Sequence, residues 1–359
     1  MSLLELEVNG LRNLGNVRIS PGPKINIFYG ANGAGKTSIL EAIYMLGTGK
    51  SFRTNIIKKL ISDNASEATV FGKAGVENRI TTLGIRRGKR NFEIRIDGEN
   101  QTRRALLAKV LPLMVITPES HSLLAQGPTY RRKFVDWGVF HVEHNYPQIW
   151  SDFHKVLKNR NRLLQNSAPD AELVFWSESL VSAGLEVIRL RGQYIEALRP
   201  YVETYTEIFF PGLPITLQYR TGLPDDTDFA DYLLKSLPRD RLLGRTEYGP
   251  HRADLVIRLD GKEIHDRVSR GQQKLLVYIL QLAQCRYLKE KCGINTSLLL
   301  DDIAAELDSS RMKQINTLLI QEFEQIFVTC TGYTDMPDVF LSEASVFHVE
   351  HGNIQLSNI

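Results

Sequence analysis

Apolar and polar residues alternate along Leu3 to Val8, Val17 to Ser20 and Lys24 to Phe28, which predicts three strands near the start of the chain. The period changes at Ser38. Ser38 to Leu46 carries an apolar stripe at helical spacing. From Ala68 to Gly98 the alternation returns, and Gly72, Gly75, Gly84 and Gly88 are expected to break it into short strands. The segment from Gly127 to Phe210 reads as mostly helical. Within it, Leu173, Trp176, Leu180, Leu185, Ile188, Leu190, Ile195 and Leu198 mark one long helix over Glu172 to Phe209, which Pro200 should kink or break. Strand-like pieces follow at Ile215 to Tyr219 and Leu255 to Leu259, and the last hundred or so residues alternate helix and strand. The pattern predicts an α/β fold. One lobe is built from both ends of the chain, 1–118 and 262–359, and a mainly helical second lobe, 119–261, is inserted between them.

Composition changes this picture little. The chain has 359 residues, 43% of them hydrophobic, which is enough for a sizeable core in two lobes. Lys+Arg 44 against Asp+Glu 41 gives a net charge of +3, so any basic surface must be local. Cys285, Cys292 and Cys330 have no metal-site spacing and read as reduced thiols. No apolar run is long enough to span a bilayer, and the alternating start Met1-Ser2-Leu3-Leu4-Glu5-Leu6-Glu7 is unlike a secretory signal. A cytoplasmic protein without a membrane partner is expected.

The chemistry enters at Gly30-Ala31-Asn32-Gly33-Ala34-Gly35-Lys36-Thr37, a complete Walker A loop between a predicted strand and a predicted helix. Its glycines permit backbone angles that turn successive N–H groups onto a phosphate. Lys36 supplies charge for the β and γ phosphates, Thr37 a hydroxyl for Mg²⁺, and Ser38, in the first helical turn, completes the nucleotide-binding set from Gly30. ATP and Mg²⁺ are the expected ligands.

Thr296-Ser297-Leu298-Leu299-Leu300-Asp301-Asp302 has the form of a Walker B strand. Asp301 is placed to reach the Mg²⁺ shell and Asp302 to orient or deprotonate the attacking water. Glu306-Leu307-Asp308 follows, with Asp308 either capping a helix near Ser309 or facing a second subunit. Val268-Ser269-Arg270-Gly271-Gln272-Gln273 precedes another helical run. Ser269 and Gln272 fit a capping box, and a Ser and a Gly at a helix N-terminus can also form a second phosphate site.

The order of Walker A, Ser-x-Gly-Gln, Walker B with a second acid and Glu-Leu-Asp resembles ABC-type ATPases. The absence of long heptad arms separates the chain from the SMC branch. The resemblance is closer to the RecF family of bacterial DNA replication and repair proteins. It is carried by Gly10-Leu11-Arg12-Asn13-Leu14, Gly30 to Ile43, Gly49-Lys50-Ser51-Phe52-Arg53 and Ile116-Thr117-Pro118-Glu119. Later stretches are Gly127-Pro128 with Tyr130 to Gly138, Gly249-Pro250-His251-Arg252-Ala253-Asp254-Leu255, Ser269 to Leu276, and Leu299 to Asp308. The resemblance implies a P-loop ABC-type ATPase head with a helical second lobe. It implies a head-to-tail homodimer around two ATP molecules, with Gly30 to Thr37 holding ATP in one subunit and Ser269, Gly271 and Gln272 contacting its γ-phosphate from the other. It further implies binding to gapped DNA at single-strand/double-strand junctions, and help to RecR and RecO in loading RecA. Asp302 stands where many relatives have Glu, and the histidine often found after the last core strand is missing, which leaves Thr329 or Cys330 near the γ-phosphate. Both departures point to slow hydrolysis and a switch.

Basic candidates for DNA contact are Arg131-Arg132-Lys133, the helical face Lys155, Lys158 and Arg162, and the hairpin tip Arg86-Arg87-Gly88-Lys89-Arg90. By charge pattern alone, a solvated surface is the plainer reading of the helical face and the tip, and Arg131 and Arg132 equally suit bracing of the core. Arg12 and Arg53 are candidates for phosphate sensing or for surface pairing. Competing functions are a membrane-transporter ATPase subunit, which shares the P-loop and signature, and a plain P-loop kinase or GTPase. The helical insertion and missing histidine argue against the first, and the signature segment against the second.

Overall fold

The structure, a computed structural model, describes residues 2–76, 79–224, 227–264, 268–302 and 309–357. The chain divides into two compact units, residues 1–120 with 289–359, and residues 121–288. The expected lobes put 262–288 with the chain ends instead. Gln284 supplies the reason for the difference: its Nε2 donates to Phe134 O and to Tyr194 Oη, both at 2.9 Å and both in the second unit.

The first unit opens with β1 (Ser2–Leu11), β2 (Leu14–Ile19) and β3 (Ile25–Tyr29), then α1 (Lys36–Thr48). Next come β4 (Glu67–Val76), β5 (Arg79–Gly88), β6 (Phe92–Ile96), β7 (Glu99–Gln101), α2 (Ala105–Val110) and β8 (Leu113–Ile116). Six of these strands form an antiparallel sheet in the order β2-β1-β4-β5-β6-β7. The glycines do not break it up as the sequence suggests. β4 and β5 run ten residues each through Gly72, Gly75, Gly84 and Gly88. Gly72 serves close packing, because a Cβ there would lie 2.4 Å from Leu46 Cδ2 on α1.

The second unit holds α3 (Ser122–Ala125), α4 (Pro128–Val142), α5 (Tyr146–Gln165), α6 (Asp170–Phe209), β9 (Ile215–Arg220), α7 (Phe229–Leu243), β10 (Asp254–Leu259) and β11 (Lys262–Glu263). It also holds most of α8 (Arg270–Cys292). α6 continues through Pro200 without a break. Pro200 lies on the exposed face, where water can satisfy the carbonyl it frees. The buried stripe of α6 includes Leu173, Leu180, Val187 and Leu190, whereas Leu185 is exposed. α5 turns Phe153, Leu157 and Leu164 into the same core, with Phe229 and Leu233 from α7. Arg160, also on α5, is fully buried. It pairs with the equally buried Asp240 at 2.8 Å and donates to Thr246 at 2.6 Å and Ser177 at 2.9 Å. Its neighbours Lys155, Lys158 and Arg162 are exposed.

The chain then returns to the first unit with β12 (Ser297–Leu300), α9 (Ser309–Glu322), β13 (Gln325–Cys330), α10 (Asp338–Leu341), β14 (Ala344–Glu350) and β15 (Asn353–Leu356). The second large sheet has the order β15-β14-β3-β13-β12-β8 and is parallel from β14 to β8. β3 is buried on both faces, as central parallel strands are, and its apparent alternation rests on Asn26, which is fully buried and bonded to Gly22. α1 packs against both sheets. Its Ile39, Leu40, Ile43 and Leu46 join Leu6, Val8, Val70 and Leu83 of one sheet to Phe28, Leu299, Phe327 and Phe347 of the other. This core fixes α1 and, with it, the loop that precedes α1.

Candidate functional site

In the parallel sheet β13 lies between β3 and β12, so three strand ends meet at one edge. β3 leads into Gly30 to Thr37, β13 carries Thr329, and β12 ends at Leu300 before Asp301. Ligands of open α/β sheets gather at such carboxyl ends. An open cavity of about 990 Å³ sits there, lined on one side by Asn32, Gly33, Gly35, Lys36, Thr37 and Ser38 and on the other by Asp301, Asp302 and Thr329. Residues 264 positions apart thereby touch: Thr37 Oγ1 donates to Asp301 Oδ1 at 2.9 Å.

The loop's shape follows from its glycines and its neighbours. Gly30 has φ 154, and a Cβ there would lie 2.2 Å from Val349 O. Gly35 has φ 121 and precedes α1 without any side-chain cap, which leaves the first-turn N–H groups free for an anion. Lys36 Nζ donates to Gly30 O at 2.7 Å and Ala31 O at 3.0 Å, which holds its ammonium at the loop. Ala34 is buried, and its carbonyl accepts from Gly352 N at 2.8 Å. Ser38 Oγ donates to Asn13 Oδ1 at 2.9 Å, and Asn13 Nδ2 donates to Gly33 O at 3.2 Å. Asn13 therefore positions the loop, although the sequence reading gave it no role.

The acid side is held by one hydroxyl. Thr329 Oγ1 donates to Asp301 Oδ1 at 2.9 Å and accepts from Asp302 N at 2.8 Å. Asp302 has φ 52, an angle few residues other than Gly adopt. Burial pushes the Asp301 carboxyl above its ordinary value, opposed by hydrogen bonds from Thr37 and Thr329 and by the charge of Arg53. Among the described residues no cluster of three His, Cys, Asp or Glu side chains is suited to a metal. The donors present, one hydroxyl and one carboxylate beside a phosphate-binding loop, instead fit a Mg²⁺ that takes its other ligands from phosphate and water. Cys330, the alternative to Thr329, is buried and does not line the cavity.

Arg12, Arg53, Lys58 and Lys59 also line the cavity, so with Lys36 five cations face Asp63, Asp301 and Asp302. Arg12, at φ 55, forms a bidentate pair with Glu41 at 2.8 and 2.9 Å. Glu41 is fully buried within α1 and also accepts from Ser51 Oγ. Ser51 Oγ in turn accepts from Arg53 N at 3.0 Å and Thr54 N at 2.9 Å. A chain of contacts centred on the buried Glu41 thus runs from Arg12 to the loop that carries Arg53. A carboxylate among the apolar residues of the predicted helix was the sequence signal for Glu41.

The signature residues lie in the second unit. Ser269 N donates to Gln272 Oε1 at 3.0 Å, and Gln272 N donates to Ser269 Oγ at 3.3 Å, a reciprocal capping box. Gly271 lies in the first turn of α8. Glu306-Leu307-Asp308 lies outside the described residues.

Two of the basic candidates take the bracing alternative. Arg131 makes a bidentate pair with Asp254 at 2.7 and 2.9 Å, and Arg132 donates to Ala253 O at 2.8 Å. Arg191 donates to Pro250 O at 2.7 Å. These arginines brace the Gly249 to Asp254 segment and are largely withdrawn from solvent. The Tyr130 to Gly138 and Gly249 to Leu255 stretches therefore serve each other.

Comparison with known proteins gives the family and agrees with the fold. The model of the RecF/RecN/SMC N-terminal domain family matches residues 2–355. The chain is 39% identical to the DNA replication and repair protein RecF of Shewanella frigidimarina, covering 98% of each chain. It is 38% identical to that of Shewanella sediminis, covering 99% of each. A solved structure of the recombination mediator protein RecF-ATP in the RecFOR pathway is similar with a TM-score of 0.88 and 25% identity, covering 99% of this chain and 97% of that one. An Smc head bound to the C-terminal winged-helix domain of ScpA shares the fold at a TM-score of 0.59 and 17% identity, covering 100% and 98%.

Proposed function

The chain belongs to the RecF family of ABC-type ATPases, and from that starting point we propose that it is an ATP-dependent DNA-binding recombination mediator acting in the cytoplasm. The observation that carries the reading is the junction of Lys36, Thr37, Asp301 and Thr329 at the carboxyl ends of three adjacent strands. Such a site suits the phosphates of a nucleoside triphosphate.

In this reading the free N–H groups at the start of α1 and the Lys36 ammonium bind the triphosphate. Thr37 and Asp301 hold Mg²⁺, whose role when bound is to neutralise charge between the β and γ phosphates. Asp302, fixed through its own N–H, orients the attacking water and accepts its proton. An Asp is shorter than a Glu, so the base sits farther back and turnover is slow. Single turnover on the order of several per second or more would contradict a switch.

The same reading makes ATP the glue of a head-to-tail homodimer, with Ser269, Gly271 and Gln272 of one subunit meeting the γ-phosphate held by Gly30 to Thr37 of the other. The dimer binds gapped DNA at single-strand/double-strand junctions and, with RecR and RecO, helps load RecA. A gel-shift on gapped DNA, with and without ATP and at two salt concentrations, tests this. ATP-strengthened, salt-sensitive binding is expected. A transporter subunit or a small-molecule kinase predicts no such response, and the described residues contain no helix long and apolar enough to cross a membrane.

A further inference from the structure

Several exposed arginines of the antiparallel sheet are matched with acids. Arg18 pairs with Glu5 and Glu7, Arg79 with Asp97, and Arg86 with Glu67 and Glu93. Arg87 and Arg104 break the pattern. Neither forms an ion pair with a described carboxylate, and both guanidinium groups lie against Phe92, at 4.8 and 4.5 Å from the ring centroid. Arg87 and Phe92 are cross-strand partners on β5 and β6, so the pairing is built into the sheet register. Arg104 immediately precedes α2.

A third element closes the arrangement. α1 ends at Gly49, whose φ of 68 turns the chain away, and a Cβ there would lie 3.2 Å from Arg104 Cγ, Arg104 Cδ and Phe92 Cζ. The absent side chain leaves room for the stack. Burial first, and the nearby Arg87 charge second, push the Arg104 guanidinium below its ordinary value. Two like charges held near each other without an acid repel, and a bound anion would relieve that repulsion. Lys89, Arg90 and Arg103 are exposed beside them in sequence and form no ion pair with a described carboxylate, while Glu93 is engaged by Arg86.

We propose that the Arg87–Phe92–Arg104 stack is a seat for the phosphodiester backbone of DNA on the ATPase unit. Planar guanidinium groups suit phosphate oxygens bidentately, and stacking on an aromatic ring orders them before the ligand arrives. That separates this site from the Lys155, Lys158 and Arg162 face, whose flexible side chains must be ordered on binding. Arg131 and Arg132 are already engaged with Asp254 and Ala253. No base-reading group is needed, so the seat takes any sequence.

The proposal rests on DNA binding by the chain, and the experiment separates the two. Anisotropy of labelled gapped DNA is followed with the full-length protein, ATP and Mg²⁺ across a salt series. R87A/R104A is expected to bind roughly tenfold or more weakly at low salt and to lose about two phosphate contacts' worth of salt slope. Its affinity for ATP should match the parent. R87K/R104K keeps both charges but not the planar stack, and should bind several-fold more weakly with an unchanged slope. It replaces the alanine pair if that variant fails to fold. Parental affinity and slope in the folded alanine pair, or parental affinity in the lysine pair, would overturn the seat alone. A parent that binds no DNA would overturn the proposed function as well.

Discussion

Thr37 and Asp301, 264 residues apart, share a hydrogen bond of 2.9 Å between hydroxyl and carboxylate. In the proposed ATP site these two oxygens would hold a Mg²⁺, in exchange for the bond between them. Thr37→Ala should weaken ATP affinity by about tenfold in the presence of Mg²⁺ and hardly at all in EDTA, since the loop N–H groups and Lys36 remain. Calorimetry with and without the metal checks this. Equal loss in both conditions would place the hydroxyl on phosphate alone. Burial raises the Asp301 carboxyl, so metal-dependent affinity should begin to fall at a less acidic pH than for an ordinary Asp.

Thr329 joins the two acids, accepting from Asp302 N and donating to Asp301. Thr329→Val keeps the shape and removes both bonds. Asp302 then loses what stabilises its left-handed backbone. Turnover is expected to fall roughly tenfold or more while ATP affinity stays within about threefold, because positioning of Asp302, the proposed base, is a transition-state effect. Steady-state ATPase assays with a separate binding measurement distinguish this from a general loss of the site.

Much of this arrangement was legible from residue order alone. The Walker A loop, the Asp301 strand and the Ser269–Gln272 box each have a local signature, because backbone chemistry at a helix N-terminus dictates residue types at fixed spacing. What sequence could not show were pairings over distance. Arg131 and Arg132 suit DNA contact and bracing equally in sequence, and their partners Asp254 and Ala253, more than a hundred residues later, decide for bracing. Arg160 sat among exposed basic residues on α5, yet its complement Asp240 lies eighty residues on, and both are buried. Glycine was misread in β4 and β5 because its strand penalty is small beside ladder hydrogen bonds and the close approach of α1. Leu185 shares the apolar pattern that marks α6 yet is exposed, because helical spacing over forty residues does not fix which side faces the core.

Arg12 and Glu41 give a stability test. Glu41 is fully buried, and Arg12 supplies its bidentate counter-charge. Arg12→Ala leaves a buried carboxylate facing only Ser51, which should cost about 3 to 5 kcal/mol of unfolding free energy. Arg12→Ala with Glu41→Gln should recover a large part of it, because the uncompensated charge is gone. Urea unfolding of the single and double variants measures the coupling. Additive losses would mean that the pair is not a unit.

His141 and His251 make the second unit sensitive to acid. Burial pushes both down to about 4. His251 Nε2 donates to Thr246 O at 3.1 Å, which leaves Nδ1 as a buried unprotonated nitrogen. Between pH 6.5 and 4 the unfolded chain binds protons at these sites that the folded chain does not, so stability rises with pH across that window and is lost as pH falls through it. Each histidine contributes up to about 1.4 kcal/mol per pH unit at full slope. His141→Gln should flatten the fall in urea midpoint between pH 6.5 and 4. An unchanged pH profile would show that the imidazole stays accessible to protons.

Ser269 has two separable roles in the proposed dimer. It caps α8 through its hydroxyl, and its partner in that box is Gln272. Replacement by Arg removes the cap along with any contact to a γ-phosphate, so a lost dimer would not tell the two apart. Ser269→Asp does, because Asp caps as well as Ser and its charge suits a helix N-terminus. The folded monomer should therefore keep its stability to within about 1 kcal/mol. A carboxylate facing a γ-phosphate is repelled, so ATP-dependent dimerisation should disappear while the monomer still binds ATP at Gly30 to Thr37. Sedimentation of the variant with ATP under non-hydrolysing conditions reads the outcome. A dimer that persists at the parental concentration would place the Ser269 turn away from the nucleotide and leave it a helix cap alone.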